Sequence, residues 1–207
     1  MLRDLRVCFV GDSFVAGVGD PEHLGWVGRV AARSHRAGEP LTAYVLGVQR
    51  QTSFDIAGRW RGECVARLPA GCDGRVVISL GVNDTTVEDT RVEGGDTTVL
   101  AADSAQNLEG ILAEVHAAGW SALVVGPPPV ADRQHNERTA HLDARLAAVC
   151  EASGVGCVRV FDQLAADPVW MAEVAAGDGA HPGAHGYQRL ADLVWPHWQA
   201  WTTPTTT

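Results

Sequence analysis

The sequence lacks any apolar run long enough to cross a bilayer: Val76 to Leu80 and Ala122 to Val125 fall far short of the roughly 18 residues that a membrane helix needs. It also lacks a cluster of Lys or Arg. The formal net charge of −9 comes from scattered carboxylates, so a phosphate backbone finds no footprint and nucleic acid is not expected as a partner. Met1-Leu2-Arg3-Asp4-Leu5-Arg6 leads straight into Val7 to Val10, without the long apolar region and small-residue cleavage site of a secretion signal, so a cytoplasmic location is expected. The five cysteines, Cys8, Cys64, Cys72, Cys150 and Cys157, are odd in number and include no C-x-x-C pair. That argues against a disulfide framework or a zinc ribbon and for buried free thiols. Gly17-Val-Gly19 lacks the third glycine of a dinucleotide fingerprint, and neither a phosphate-binding G-x-x-x-x-G-K-[ST] loop nor a zinc-binding H-E-x-x-H occurs. No cofactor or metal is expected.

What the chain does have is a β-α alternation. Val-rich apolar runs at Leu5 to Val10, Thr42 to Leu46, Arg75 to Leu80, Ala122 to Val125 and Val155 to Phe161 read as five strands. They are continuously apolar, so each is expected to be covered on both faces, as in a parallel sheet. The segments between them read as helices: Leu24 to Ala37, Ser53 to Leu68, Ala101 to Ala118, Asp132 to Ala152 and Tyr187 to Trp201. Gly38, Gly119 and Gly154 stand where helices should stop. The 207 residues, 46% of them hydrophobic, predict one α/β domain over residues 1–201, a three-layer α/β/α sandwich on a five-stranded parallel sheet, with a disordered tail at 202–207. Asp84 to Thr98 is a long, polar connection of the kind that shapes a binding site. The tryptophans Trp195, Trp198 and Trp201 recur at helical spacing, which suits core packing and leaves a dimer interface as a second reading.

Open α/β sheets bind ligands beyond the carboxyl ends of their strands. Small and polar residues gather there: Gly11-Asp12-Ser13, Gly47, Gly81-Val82-Asn83-Asp84, Gly126-Pro127-Pro128-Pro129 and Asp162. A serine hydroxyl becomes a useful nucleophile only beside a base that is itself oriented by a third group. Ser13 stands at a strand-to-loop corner, and Asp178-Gly-Ala-His181-Pro182 offers a carboxylate and an imidazole from one short loop. Asp178 could fix the His181 tautomer while His181 takes the Ser13 proton. The N–H groups of Ser13 and Gly47 and the amide of Asn83 could together receive the oxyanion of an acyl-transfer intermediate. Each piece has a plainer reading: Ser13 as a turn or helix cap, His181 as a surface histidine, Gly47 as a turn glycine, Asn83 as an Asx-turn residue.

Taken in order, these blocks resemble the SGNH, or GDSL, hydrolases. Gly11-Asp12-Ser13-Phe14 resembles the first block, Gly47 the glycine of the second, Gly81-Val82-Asn83-Asp84 the third, and Asp178-Gly-Ala-His181-Pro182 the last. The resemblance implies a flavodoxin-like sandwich and metal-independent ester hydrolysis through an acyl-enzyme. It assigns Ser13, Asp178 and His181 as the triad, and Ser13, Gly47 and Asn83 as the oxyanion hole. Substrates across the family range from lysophospholipids and simple esters to acetylated sugars, so a small-molecule or lipid-like ester is the expected partner. Two positions depart from the pattern: Phe14 stands where the family has leucine, and Val45 where it often has asparagine. Acyl transfer by the same acyl-enzyme, carbohydrate deacetylation and a non-catalytic binding module stay open as alternatives. A phosphoesterase site built on His181 and His185 is disfavoured, because Pro182 and Gly183 interrupt the helix it would need.

Overall fold

Successive side chains of a strand point to opposite faces, and the first strand, β1 (Leu5–Gly11), fills both. Leu5, Val7 and Phe9 enter one core, Cys8 and Val10 the other. The computed structural model describes residues 3–87 and 98–203. Four further strands, β2 (Thr42–Gly47), β3 (Asp73–Ser79), β4 (Ser121–Val125) and β5 (Gly156–Val158), complete a five-stranded sheet in the order β2-β1-β3-β4-β5. Every pairing is parallel, with Gly11 opposite Gly47 on one side and Ser79 on the other.

Helices cover both faces, as the continuous apolar strands require. On one side α2 (Gly25–Arg36) and α8 (Ala184–Thr202) pack Trp26, Val30, Val194 and Trp198 against Phe9 and Val77. On the other, α3 (Ser53–Val65), α4 (Ala101–Ala117) and α5 (Arg133–Ala152) pack Ile56, Trp60, Leu108, Leu142 and Cys150 against Cys8, Val10 and Ile78. Local chemistry marks the helix starts. Thr52 and Asp55 form a reciprocal capping box on α3, and Asp132 caps α5 by accepting the His135 N–H at 2.6 Å. The three-layer α/β/α sandwich is therefore the architecture of this chain. Among the described residues, no helix is long and apolar enough to cross a membrane.

The structure departs from the sequence-based elements in several places. β5 ends at Val158 rather than reaching Phe161, because Phe161 opens a short helix, α6 (Phe161–Ala165). The burial of Val160 and Phe161 serves helix packing, and an apolar run alone does not distinguish that from a strand. A further helix, α7 (Pro168–Ala176), starts where Asp167 caps and Pro168 takes the first helical position. Thr202, expected in the frayed tail, closes α8 and is buried, with its hydroxyl donating to Trp198 O at 2.8 Å. Trp195 and Trp198 belong to the core, and Phe9 stacks on Trp198 with centroids 5.7 Å apart. Most of the long connection expected at Asp84 to Thr98, and residues 204–207 of the tail, lie outside the described residues.

In a sheet of this order, the chain leaves β1 in opposite directions toward β2 and β3. The crevice at that reversal is where ligands bind in such folds.

Candidate active site

Gly11 ends β1 with no room for a side chain: a Cβ there would lie 2.2 Å from Ser79 O of the neighbouring strand. The chain then turns into α1 (Ser13–Ala16), one helical turn capped by Asp12, whose Oδ1 accepts the Phe14 N–H at 3.0 Å. Ser13 thereby becomes the first helical residue. An N–H in that position has no intrahelical acceptor, and that of Ser13 has no partner among the described residues. The residue is 4% exposed and lines a cleft of about 430 Å3 at the carboxyl end of the sheet.

The loop between α7 and α8 brings the imidazole to this serine across 168 residues of sequence. His181 Nε2 lies 2.7 Å from Ser13 Oγ, and His181 Nδ1 lies 2.7 Å from Asp178 Oδ2. A carboxylate only accepts, so Nδ1 carries the proton and Nε2 turns its lone pair to the hydroxyl. The other oxygen, Asp178 Oδ1, accepts the N–H groups of His181 at 2.8 Å and Ala180 at 2.9 Å. Partial burial pushes the Asp178 carboxyl up, but the His181 N–H, the His181 ring and the Ala180 N–H outweigh it and hold the group down to about 2. Its side chain is 54% exposed, whereas that of His181 is 9% exposed.

Packing around His181 holds its ring in place. Phe14 packs on it at 4.9 Å between centroids and also stacks against buried Trp170. Gly19, in the left-handed region at φ +87°, passes close to the same residue, since a Cβ there would lie 3.0 Å from His181 Cβ. Tyr187 secures the loop that carries Gly19 by donating its hydroxyl to Val18 O at 2.7 Å.

Asn83 follows β3 on a single 3-10 turn, Asn83–Thr85, at the other side of the crevice. Its Nδ2 donates to Gln51 O at 3.0 Å and reaches Asp12 Oδ2 at 3.4 Å. One amide hydrogen is thus committed to the loop after β2, while the other has only a long contact. Asp12 itself is 2% exposed. Burial raises its carboxyl to about 7, partly opposed by the Phe14 N–H and reinforced by the charge of Asp84. Asp84 is buried as well, with Oδ1 accepting the Ser53 N–H at 2.7 Å and Oδ2 unpartnered.

The structure therefore brings Ser13, Asn83, Asp178 and His181 to one cleft. Gly47 is not among the residues lining it. It packs behind α1, where a Cβ would meet Ala16 N at 2.2 Å and Asp12 O at 2.6 Å. The next N–H, that of Val48, donates to Gly11 O at 3.0 Å, and N–H groups alternate in direction along a strand, so the Gly47 N–H points away from β1. The cleft wall is instead supplied by the following turn, through Gln49 and Arg50.

His135 is a lining residue that sequence reasoning did not single out. Its Nε2 lies 2.9 Å from Val82 O and 3.0 Å from Thr85 Oγ1, and burial lowers its pKa despite the Val82 contact. The ring ties the start of α5 to the turn bearing Asn83. Its position one turn after the capping Asp132 was the available signal.

A donor, an acceptor and an orienting carboxylate in this order can move a proton off Ser13 as the oxygen attacks an electrophilic carbon. A family model of the GDSL-like Lipase/Acylhydrolase family matches residues 9–189. No curated protein matches the chain. Among solved structures, a lipase/acylhydrolase from Enterococcus faecalis superposes with a TM-score of 0.77 at 21% identity, covering 98% of this chain and 100% of the other. The psychrotrophic esterase EstA from Pseudoalteromonas sp. gives 0.72 at 15% identity over 96% and 98% of the two chains. An acetylxylan esterase from Geobacillus stearothermophilus gives 0.75 at 17% identity over 98% and 96%. At these identities the structural likeness speaks for the fold, and the family match over most of the sequence is what decides: this chain is a member of the GDSL-like lipase/acylhydrolase, or SGNH hydrolase, family.

Proposed function

We propose that the protein hydrolyses carboxylic esters through an acyl-enzyme on Ser13. The observation that carries this reading is the continuous relay from Ser13 Oγ through His181 to Asp178, with both hydrogen bonds at 2.7 Å. His181 Nε2 accepts the hydroxyl proton as Oγ bonds the acyl carbon, then returns it to the departing alkoxide. Water, deprotonated by the same nitrogen, attacks the acyl-enzyme and regenerates Ser13. Asp178, ionised throughout, steadies the imidazolium formed in each half-reaction. The Ser13 N–H and the Asn83 amide are the donors placed to receive the oxyanion.

The cleft supports a small-molecule ester or the head of a lipid-like one. Its volume of about 430 Å3 sits in the range of small-ligand sites, and Phe14, Val82 and Val130 give it apolar walls beside the polar catalytic groups. Hydrolysis of p-nitrophenyl esters from acetate to long acyl chains, in the presence of a chelator and beside Ser13→Ala, tests the reading. Turnover by the wild-type protein that disappears in Ser13→Ala supports it, and the preferred acyl length separates acetyl-type from lipid-like substrates. Equal turnover by both proteins would refute it.

A further inference from the structure

The cleft is lined by a second imidazole that the relay does not use. His135 stands in the first turn of α5, half-buried, and shares the cleft with Ser13, Asn83 and His181. A free imidazole chooses between two tautomers, but this ring has its choice made for it. Nε2 lies 2.9 Å from Val82 O, and a carbonyl oxygen only accepts, so Nε2 carries the hydrogen. The Thr85 hydroxyl, 3.0 Å from the same nitrogen, is itself held by Val82 O at 2.9 Å and Thr139 Oγ1 at 2.8 Å, and so fixes the ring's orientation. Burial lowers the pKa of the ring and favours its neutral form. Nδ1 is therefore left as a lone-pair acceptor. It has no partner among the described residues, and unlike Asp84 Oδ2 and Asp143 Oδ1 it is not sealed from solvent.

We propose that His135 is a specificity-determining residue, its Nδ1 accepting a hydrogen bond from a hydroxyl group that the ester carries away from the reacting carbonyl. The assignment rests on the ester-hydrolase reading of Ser13 and narrows it to hydroxylated esters. An acceptor that faces solvent bonds water until a ligand displaces it. An aliphatic substrate that fills the cleft leaves Nδ1 bare, at the cost of an unmade hydrogen bond, whereas a hydroxyl in the same place restores the bond. The fixed tautomer makes the choice directional: an O–H is welcomed, and an ether oxygen or a carboxylate sets acceptor against acceptor. Thr86 and Asp132 also line the cleft, but their side chains are exposed, so water serves them with or without a ligand. Val82 and Val130 are the apolar neighbours that shield His135 from the same exchange.

Two pairs of esters tell which half of the substrate bears the hydroxyl: p-nitrophenyl β-hydroxybutanoate against p-nitrophenyl butanoate for the acyl half, and glycerol monoacetate against propyl acetate for the alcohol half. In one pair the wild-type protein is expected to favour the hydroxylated ester in kcat/KM by roughly fivefold to tenfold, the usual worth of one neutral hydrogen bond. His135→Gln sets an amide N–H where Nε2 stands, so it can keep the bond to Val82 O while offering nothing in place of Nδ1, and the preference should fall to near parity. A ratio of kcat/KM cancels any loss common to both esters, so a histidine that served only to tie α5 to the turn bearing Asn83 would leave it unmoved. Parity in both pairs for the wild-type protein, a result that needs no variant, would overturn the assignment, and so would a wild-type preference undiminished in folded His135→Gln. Absence of Ser13-dependent turnover of p-nitrophenyl acetate and of all these esters would instead sink the hydrolase reading, and this assignment with it.

Discussion

Two aspartates flank the same serine and meet opposite fates. Asp12 is sealed beneath α1 and Asp178 stands half in solvent, yet the buried carboxyl is raised to about 7 while the exposed one is held down to about 2. Exposure by itself explains only part of this. Asp178 collects two backbone N–H groups and an imidazole, all of which favour its charge, whereas Asp12 has one N–H, one long amide contact and a second buried carboxylate, Asp84, as neighbour. The donors assembled around a carboxylate therefore decide whether it serves as an anion. At this site the carboxylate bonded to His181 lies on the donor-rich loop, and the one that caps the helix carrying Ser13 lies where charge is disfavoured.

Substitutions break this comparison in order of severity. Removing the hydroxyl or the imidazole of the relay, by Ser13→Ala or His181→Ala, should lower kcat for p-nitrophenyl esters by roughly 10^4-fold or more. Asp178→Asn keeps the shape but loses the charge that fixes the His181 tautomer, and a fall of about 10^3 to 10^4 in kcat is expected. Asn83→Ala removes one oxyanion donor and should cost about 10^2 to 10^3, read as kcat at near-constant KM.

A separate effect is sought in stability. Asp12 has its folded pKa raised above the unfolded value near 3.8, so its contribution is full below about pH 4 and is lost as pH rises toward 7. Urea denaturation of Asp12→Asn should therefore show a flatter stability profile between pH 4 and 7 than the wild type, by on the order of a few kcal/mol. Asp178 runs the other way, its contribution present above about pH 4 and lost as pH falls toward 2. Asp178→Asn should leave the interval from 4 to 7 unaltered and flatten the profile below it. Identical profiles for the two variants would erase the distinction drawn between the carboxylates.

The sheet was legible because its strands are buried on both faces and announce themselves as Val-rich runs; β1, β2, β3 and β4 all stand within a few residues of where those runs fall. β5 was read too long for the same reason, since Val160 and Phe161 owe their apolar character to helix packing. The relay was legible because Asp178 and His181 are three residues apart and Ser13 stands two residues beyond the end of β1. The turn after β2 was not: Gly47 drew attention as the glycine of its block, but its small size serves the close passage of Ala16 and Asp12. The left-handed residue of that loop is Arg50, whose identity gives no hint of its backbone. His135 was equally silent, because its contacts to Val82 and Thr85 depend on how α5 docks beside the 3-10 turn.

The central claim is that Ser13 forms an acyl-enzyme. Its most direct test is rapid acid quenching of the protein during turnover of a p-nitrophenyl ester, followed by mass measurement of the intact chain and its peptides. The account predicts an increase equal to the acyl group, confined to the peptide containing Ser13 and absent from Ser13→Ala. Turnover accompanied by no adduct on that peptide and undiminished in Ser13→Ala would contradict it.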